Sequence, residues 1–154
     1  MTSAAFKRSF DSIPEIFALT ADTFAREGID PRILPTVDLA LEELFTNMVK
    51  YSTTTTQPVH VEIVPIAEGV EVTLIDRDVE PFDVTKAPDV DVSLPIEERD
   101  PGGLGLHLIR RMLDSIEYEY TRESRRSRIT FRKTRPGAAA SGRATNKGGT
   151  NASD

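Results

Sequence analysis

The sequence predicts an α+β two-layer sandwich, a mostly antiparallel sheet with helices on one face. Two stretches of apolar alternation, Val59 to Val64 and Val70 to Ile75, are joined across Ala67-Glu68-Gly69 and read as a hairpin. Ahead of them, Val37, Leu41, Leu44, Met48 and Tyr51 recur at the spacing of a core-facing helical stripe. The overall order is strand, helix, helix, hairpin, loop, helix, hairpin. Helices of that number cover one face of the sheet and leave the other to solvent or a partner.

Each element has its own signal. Ala5 to Phe10 reads as a short strand, and Asp11 or Ser12 as the N-cap of a helix through about Glu27, with Pro14 tolerated in its first turn and Gly28 past its end. Asp30-Pro31 opens a second helix running to about Tyr51, with Pro35 either kinking it or marking its true first turn. Ser52 to Gln57 is a Thr-rich turn before the first hairpin, and His60 alternates opposite Val59, Val61 and Ile63, as a surface strand residue does. Asp83 to Pro101 is long, acidic and aperiodic with three prolines, which predicts a lid over about 83–101. Ser115 to Thr121 and Arg128 to Lys133 form a last hairpin around Arg122 to Ser127. From Thr134 onward Gly, Ala, Ser, Thr and Asn dominate, so one domain over 1–133 is expected with a disordered tail over 134–154.

Composition narrows the function. With 38% hydrophobic and 29% charged residues and a net charge of −6, the chain matches soluble globular proteins and lacks the basic balance of a nucleic-acid binder. The absence of cysteine excludes disulfides, thiol catalysis and Cys-ligated metals, and two histidines make a His-rich metal site improbable. No stretch approaches the about 18 apolar residues of a membrane span and no signal segment opens the chain, so the expected location is the cytoplasm.

The chemistry is expected around Asp-Pro-Gly-Gly-Leu-Gly-Leu-His-Leu-Ile-Arg-Arg-Met-Leu-Asp, residues 100–114, where three glycines precede a helical pattern. Unpaired N–H groups and the macrodipole at a helix start favour anions, and glycine lets a phosphate come close. Gly102, Gly103 and Gly105 could equally serve tight turning alone, so a second motif has to decide. On the second helix, Glu43, Asn47 and Lys50 form a polar stripe about a quarter turn from the apolar one. That stripe matters if it faces the glycines.

Three segments carry a resemblance: Leu39-Ala-Leu-Glu-Glu-Leu-Phe-Thr-Asn-Met-Val-Lys-Tyr-Ser52, Pro81-Phe-Asp83, and Gly102-Gly-Leu-Gly-Leu-His-Leu-Ile109. In this order they resemble the GHKL superfamily of ATP-binding domains and, within it, the serine/threonine kinases that act as bacterial anti-sigma factors. The resemblance implies ATP and Mg²⁺ as cofactors, with Asn47 as the metal ligand and Glu43 as general base toward a target serine. Mg²⁺ is commonly held by one or two protein oxygens plus phosphates and waters, which suits a lone asparagine. Lys50, one turn on, is placed near phosphate. Gly102, Gly103, Leu104, Gly105 and Leu106 correspond to the phosphate box, with the leucines packing beneath. The family's adenine loop is Asp-x-Gly, whereas this chain has Ile75-Asp-Arg-Asp-Val-Glu-Pro-Phe82 without glycine. Asp76 is the favoured adenine acceptor, with Asp78 second, because arginine at position 77 cannot accept a hydrogen bond. Thr130 matches a position where a hydroxyl often supports that aspartate.

The partners so implied are a sigma factor and an anti-anti-sigma protein of the STAS type, with no direct contact to nucleic acid or membrane, and homodimers are frequent among such proteins. A second reading keeps the fold but gives up ATP turnover, leaving a module that acts by sequestration. A third, the catalytic half of a histidine kinase, lacks a phosphoacceptor helical hairpin before Phe10.

Overall fold

The structure is a computed structural model that describes residues 1–86 and 103–138. Five strands, β1 (Thr2–Phe6), β2 (Val59–Ile66), β3 (Gly69–Asp76), β4 (Ser115–Thr121) and β5 (Arg126–Thr134), form one sheet in the order β1-β2-β3-β5-β4. Every neighbouring pair is antiparallel. Three helices, α1 (Ile13–Glu27), α2 (Leu34–Tyr51) and α3 (Gly103–Met112), share one hydrophobic core with one face of the sheet, which makes the α+β two-layer sandwich.

Parity decides what faces that core. Val61 pairs with Leu74, Ile63 with Val72, Val72 with Phe131 and Leu74 with Ile129, and all of these are fully or nearly fully buried. Two residues on, the same parity brings Asp76 opposite Ser127 at the end of the sheet, both buried on the helix side. The other face carries Thr73 beside Thr130 and the Arg132 bonds to Glu71 and Glu117.

β1 begins and ends earlier than the sequence suggests. Ala4 and Phe6 are its inward positions, and past Lys7 the chain turns away, with the Ser9 hydroxyl accepting from the Asp11 N–H at 3.2 Å. Phe10, expected in the strand, instead opens a 3₁₀ turn over Phe10–Ser12 and is half exposed. α1 ends on Gly28 in the left-handed region, φ 67°. A 3₁₀ turn over Pro31–Ile33, capped by Asp30, precedes α2, so Pro35 lies in the first turn of that helix. β5 starts at Arg126 and runs through Thr134, the expected first residue of the tail; its Oγ1 and N–H both donate to Asp114. The lid expected over 83–101 falls mostly outside the described residues, which include only its first segment, a 3₁₀ turn at Val84–Lys86. Residues 139–154 also lie outside them.

α2 organises the core. Val37, Ala40, Leu41, Leu44, Phe45 and Met48 are buried, each larger aliphatic side chain contributing about 1.5–3 kcal/mol. The same apolar packing fixes the rotation of the helix, and therefore where its polar residues point.

Candidate functional site

Glu43, Asn47 and Lys50 follow one another at helical spacing on α2. Glu43 is half-buried against the first turn of α3. A Cβ added to Gly105 would overlap the Glu43 carboxylate, so the glycine is what lets that acid reach the helix start. Burial pushes the Glu43 carboxyl above the ordinary glutamate range, and the nearby Asn47 amide and Lys50 charge offset part of that rise.

Asn47 is 4% exposed, and among the described residues neither its Nδ2 nor its Oδ1 has a hydrogen-bond partner of normal geometry, its polar neighbour being the Glu43 carboxylate on which it acts. A buried amide with both ends unmet is costly, and such a group calls for a ligand. An amide oxygen suits a hard cation, and no cluster of three or more His, Cys, Asp or Glu able to hold a metal occurs among the described residues. Asn47 Oδ1 would be one protein donor to a Mg²⁺ ion, which is commonly held by one or two protein oxygens with other ligands completing the shell.

Asn47 also lines a cavity of about 220 Å³ between the end of α2, the end of β3 and the loop after it. Leu44, Met48, Val79 and Ile129 give its apolar lining, while Asp76 and Ser127 bring polar groups from the sheet. Asp76 is 1% exposed and forms an ion pair with Arg8, whose side chain is 8% exposed. Burial raises the Asp76 carboxyl above its usual range, and Arg8 pulls it back. At the mouth, Tyr51 and Phe82 stack with ring centroids 6.0 Å apart.

The loop from Asp76 to Phe82 holds a non-glycine residue in a glycine conformation: Asp78 has φ 59°. Aspartate tolerates the left-handed region better than most residues. Asp76 stands in the cavity wall, and Asp78 turns the chain two residues on. The Asp78 carboxylate is largely exposed and pairs with Arg125 Nε at 3.3 Å. Two tyrosines of β4 anchor the rest of the loop. Tyr120 donates its hydroxyl to the Val79 carbonyl at 2.7 Å, and the Tyr118 hydroxyl accepts from the Phe82 N–H at 2.9 Å.

The structure therefore brings Glu43 and Gly105 together, and Asn47 and Asp76 into one cavity wall. Lys50 is exposed on the same face of α2, close enough to act on Glu43. Gly103 and Leu104 open α3, Leu106 is buried in the core, and Gly102 lies outside the described residues. Thr130 is placed elsewhere: its hydroxyl meets Thr73 on the outer face of the sheet. The hydroxyl beside Asp76 belongs to Ser127, which the alternation of Ile129 and Phe131 could have identified. Arg8 and the two tyrosines carry no local sequence signal, because their partners lie 68, 36 and 41 residues away.

Among the described residues, no helix is long and apolar enough to cross a membrane. A family model described as a histidine kinase-like ATPase domain matches residues 6–133. Among solved structures the chain is similar to the Acinetobacter baumannii histidine kinase AdeS, at 14% identity and a TM-score of 0.49, over 89% of this chain and 69% of that one. No curated protein matches it by sequence.

Proposed function

The chain belongs to the histidine kinase-like ATPase domain family, and from that premise we propose that it is an ATP- and Mg²⁺-dependent serine kinase of the anti-sigma type. It holds a sigma factor and phosphorylates an anti-anti-sigma antagonist on serine. One observation carries the reading: the Glu43 carboxylate abuts Gly105, and one helical turn away lies the buried amide of Asn47, which makes no hydrogen bond of normal geometry among the described residues. That is a base beside the start of a helix, next to a ready metal ligand.

In this reading the base of ATP enters the cavity above Asp76 and the phosphates reach the first turn of α3. Asn47 would hold Mg²⁺, which would supply neutralisation of phosphate charge when bound. The target serine hydroxyl attacks the γ-phosphorus, the bond to the β-phosphate bridging oxygen breaks, and the hydroxyl proton passes to Glu43. A carboxylate raised by burial is better matched to that task near neutral pH than an ordinary glutamate. Positioning and electrostatics supply most of what phosphoryl transfer needs.

A second reading, sequestration without turnover, is favoured by the loop after β3, which has no glycine from Asp76 to Val79 and holds Asp78 in the left-handed region at φ 59°. Calorimetric titration with Mg-ATP separates the two. Binding that disappears with chelator supports the kinase; no binding at millimolar nucleotide supports the sequestering module. Purification from the native host with its bound proteins then tests for a sigma factor and its antagonist.

A further inference from the structure

Arg8, in the turn after β1, ties three distant segments with one guanidinium. Its Nε donates to the Gln57 carbonyl at 3.2 Å and its Nη1 to the Met48 carbonyl at 3.0 Å in the last turn of α2. Nη1 and Nη2 face the two oxygens of Asp76, with Nη2 making the close contact to Oδ1. Both side chains are more than nine-tenths buried. A buried ion pair costs desolvation that apolar packing would avoid, so it contributes little reason to exist as a stability device alone. This pair lies behind a cavity wall, and Asp76 is the member that lines the cavity.

The geometry points to Arg8 as the positioning residue that fixes the plane of the Asp76 carboxylate, so that a remaining acceptor site selects a 6-amino purine over a 6-oxo purine. This rests on the ATP-binding reading above. An ionised carboxylate offers about four acceptor sites, and the planar guanidinium fork occupies those on one side. What remains can take a donor from the cavity, and an exocyclic amino group is such a donor. A 6-oxo group in the same place would set acceptor against acceptor. Lysine would restore the charge without the two-pronged fit. Removing the cation altogether leaves Asp76 in surroundings that favour its protonated form, which can donate to a 6-oxo group and so loses the discrimination.

The test is calorimetric titration of the full chain, wild type, Arg8→Lys and Arg8→Met, with Mg-ATP and with Mg-ITP, which differ in the purine 6-substituent and in the proton on the adjacent N1. The wild type is expected to prefer ATP by about tenfold or more, the worth of one charge-assisted hydrogen bond. In Arg8→Met, ATP affinity falls by about tenfold while ITP affinity holds, so the ratio approaches one; Arg8→Lys lies between. A folded Arg8→Met protein, or an Arg8→Lys protein should the methionine variant not fold, that keeps the wild-type ATP:ITP ratio overturns the assignment. A uniform loss for both nucleotides also overturns it, marking Arg8 as a structural tie only. Failure of the wild type to bind ATP at all is a different result, and sinks the ATP reading itself.

Discussion

Gly105→Ala isolates the contact on which the site depends. The added methyl would overlap the Glu43 carboxylate, the far end of a flexible side chain, so the acid moves rather than the helices. Two stability effects oppose one another. Alanine within α3 gains about 0.5–1 kcal/mol over glycine, and holding Glu43 off its preferred rotamer costs about 0.5–1.5 kcal/mol. The net change is within about 1 kcal/mol, or a melting shift of about 4 °C or less for a domain of this size. Function does not cancel in the same way. In the reading proposed above, displacing Glu43 as the general base by about an ångström costs on the order of 100-fold in transfer. The assay pairs thermal melting with phosphoryl transfer from labelled ATP to the antagonist proposed above. A stable variant that has lost transfer is expected; wild-type transfer, or a loss of more than about 3 kcal/mol, refutes the reasoning.

Asn47→Ala should abolish the magnesium dependence of nucleotide binding, read by titrating ATP with and without Mg²⁺; an unchanged difference between the two argues against a metal ligand. Asp78→Gly should leave ATP affinity within about twofold, because the carboxylate faces Arg125 and solvent and an exposed ion pair is worth little; a large gain would show that the Cβ obstructs the base. Tyr120→Phe removes the hydroxyl bond to Val79 and should cost about 1 kcal/mol, measured by denaturant unfolding. For Glu43 the carboxyl is raised in the folded protein, so between the ordinary glutamate range and that raised value the native state holds a proton the unfolded state lacks. In metal-free protein stability therefore falls as pH rises through that window, and Glu43→Gln should remove its share of the fall. Partial exposure keeps that share to about 1 kcal/mol or less, seen as a difference between denaturant curves at pH 4 to 7.

Much of the architecture was legible because period and parity are local. The stripe from Val37 to Tyr51 and the alternations of the first hairpin mark α2 to within three residues and β2 and β3 to within two. The glycine-led start of α3 and its meeting with Glu43 were readable only in combination, since neither Gly105 nor Glu43 is distinctive alone. Sequence and structure part where one local signal competes with another. Phe10 is apolar and suits a strand, yet the Ser9 cap ends β1 before it. Thr130 lies beside Thr73 on the outer face of the sheet, whereas Ser127 has the parity that puts it opposite Asp76. Asp78 could not be recognised as the left-handed position because aspartate also suits ordinary loops. Arg8 was beyond reach, since nothing within its own segment announces a carboxylate at the far end of β3.

Tyr118 and Tyr120 alternate along a single strand, so their two hydroxyls grip the chain between Val79 and Phe82 at both ends before any ligand arrives. The conformational entropy of those residues is surrendered during folding, leaving little to be lost when a base enters. Affinity at such a rim is governed by pre-organisation, and loosening the aromatic grip should appear first as faster ligand departure, with the arrival rate nearly unchanged.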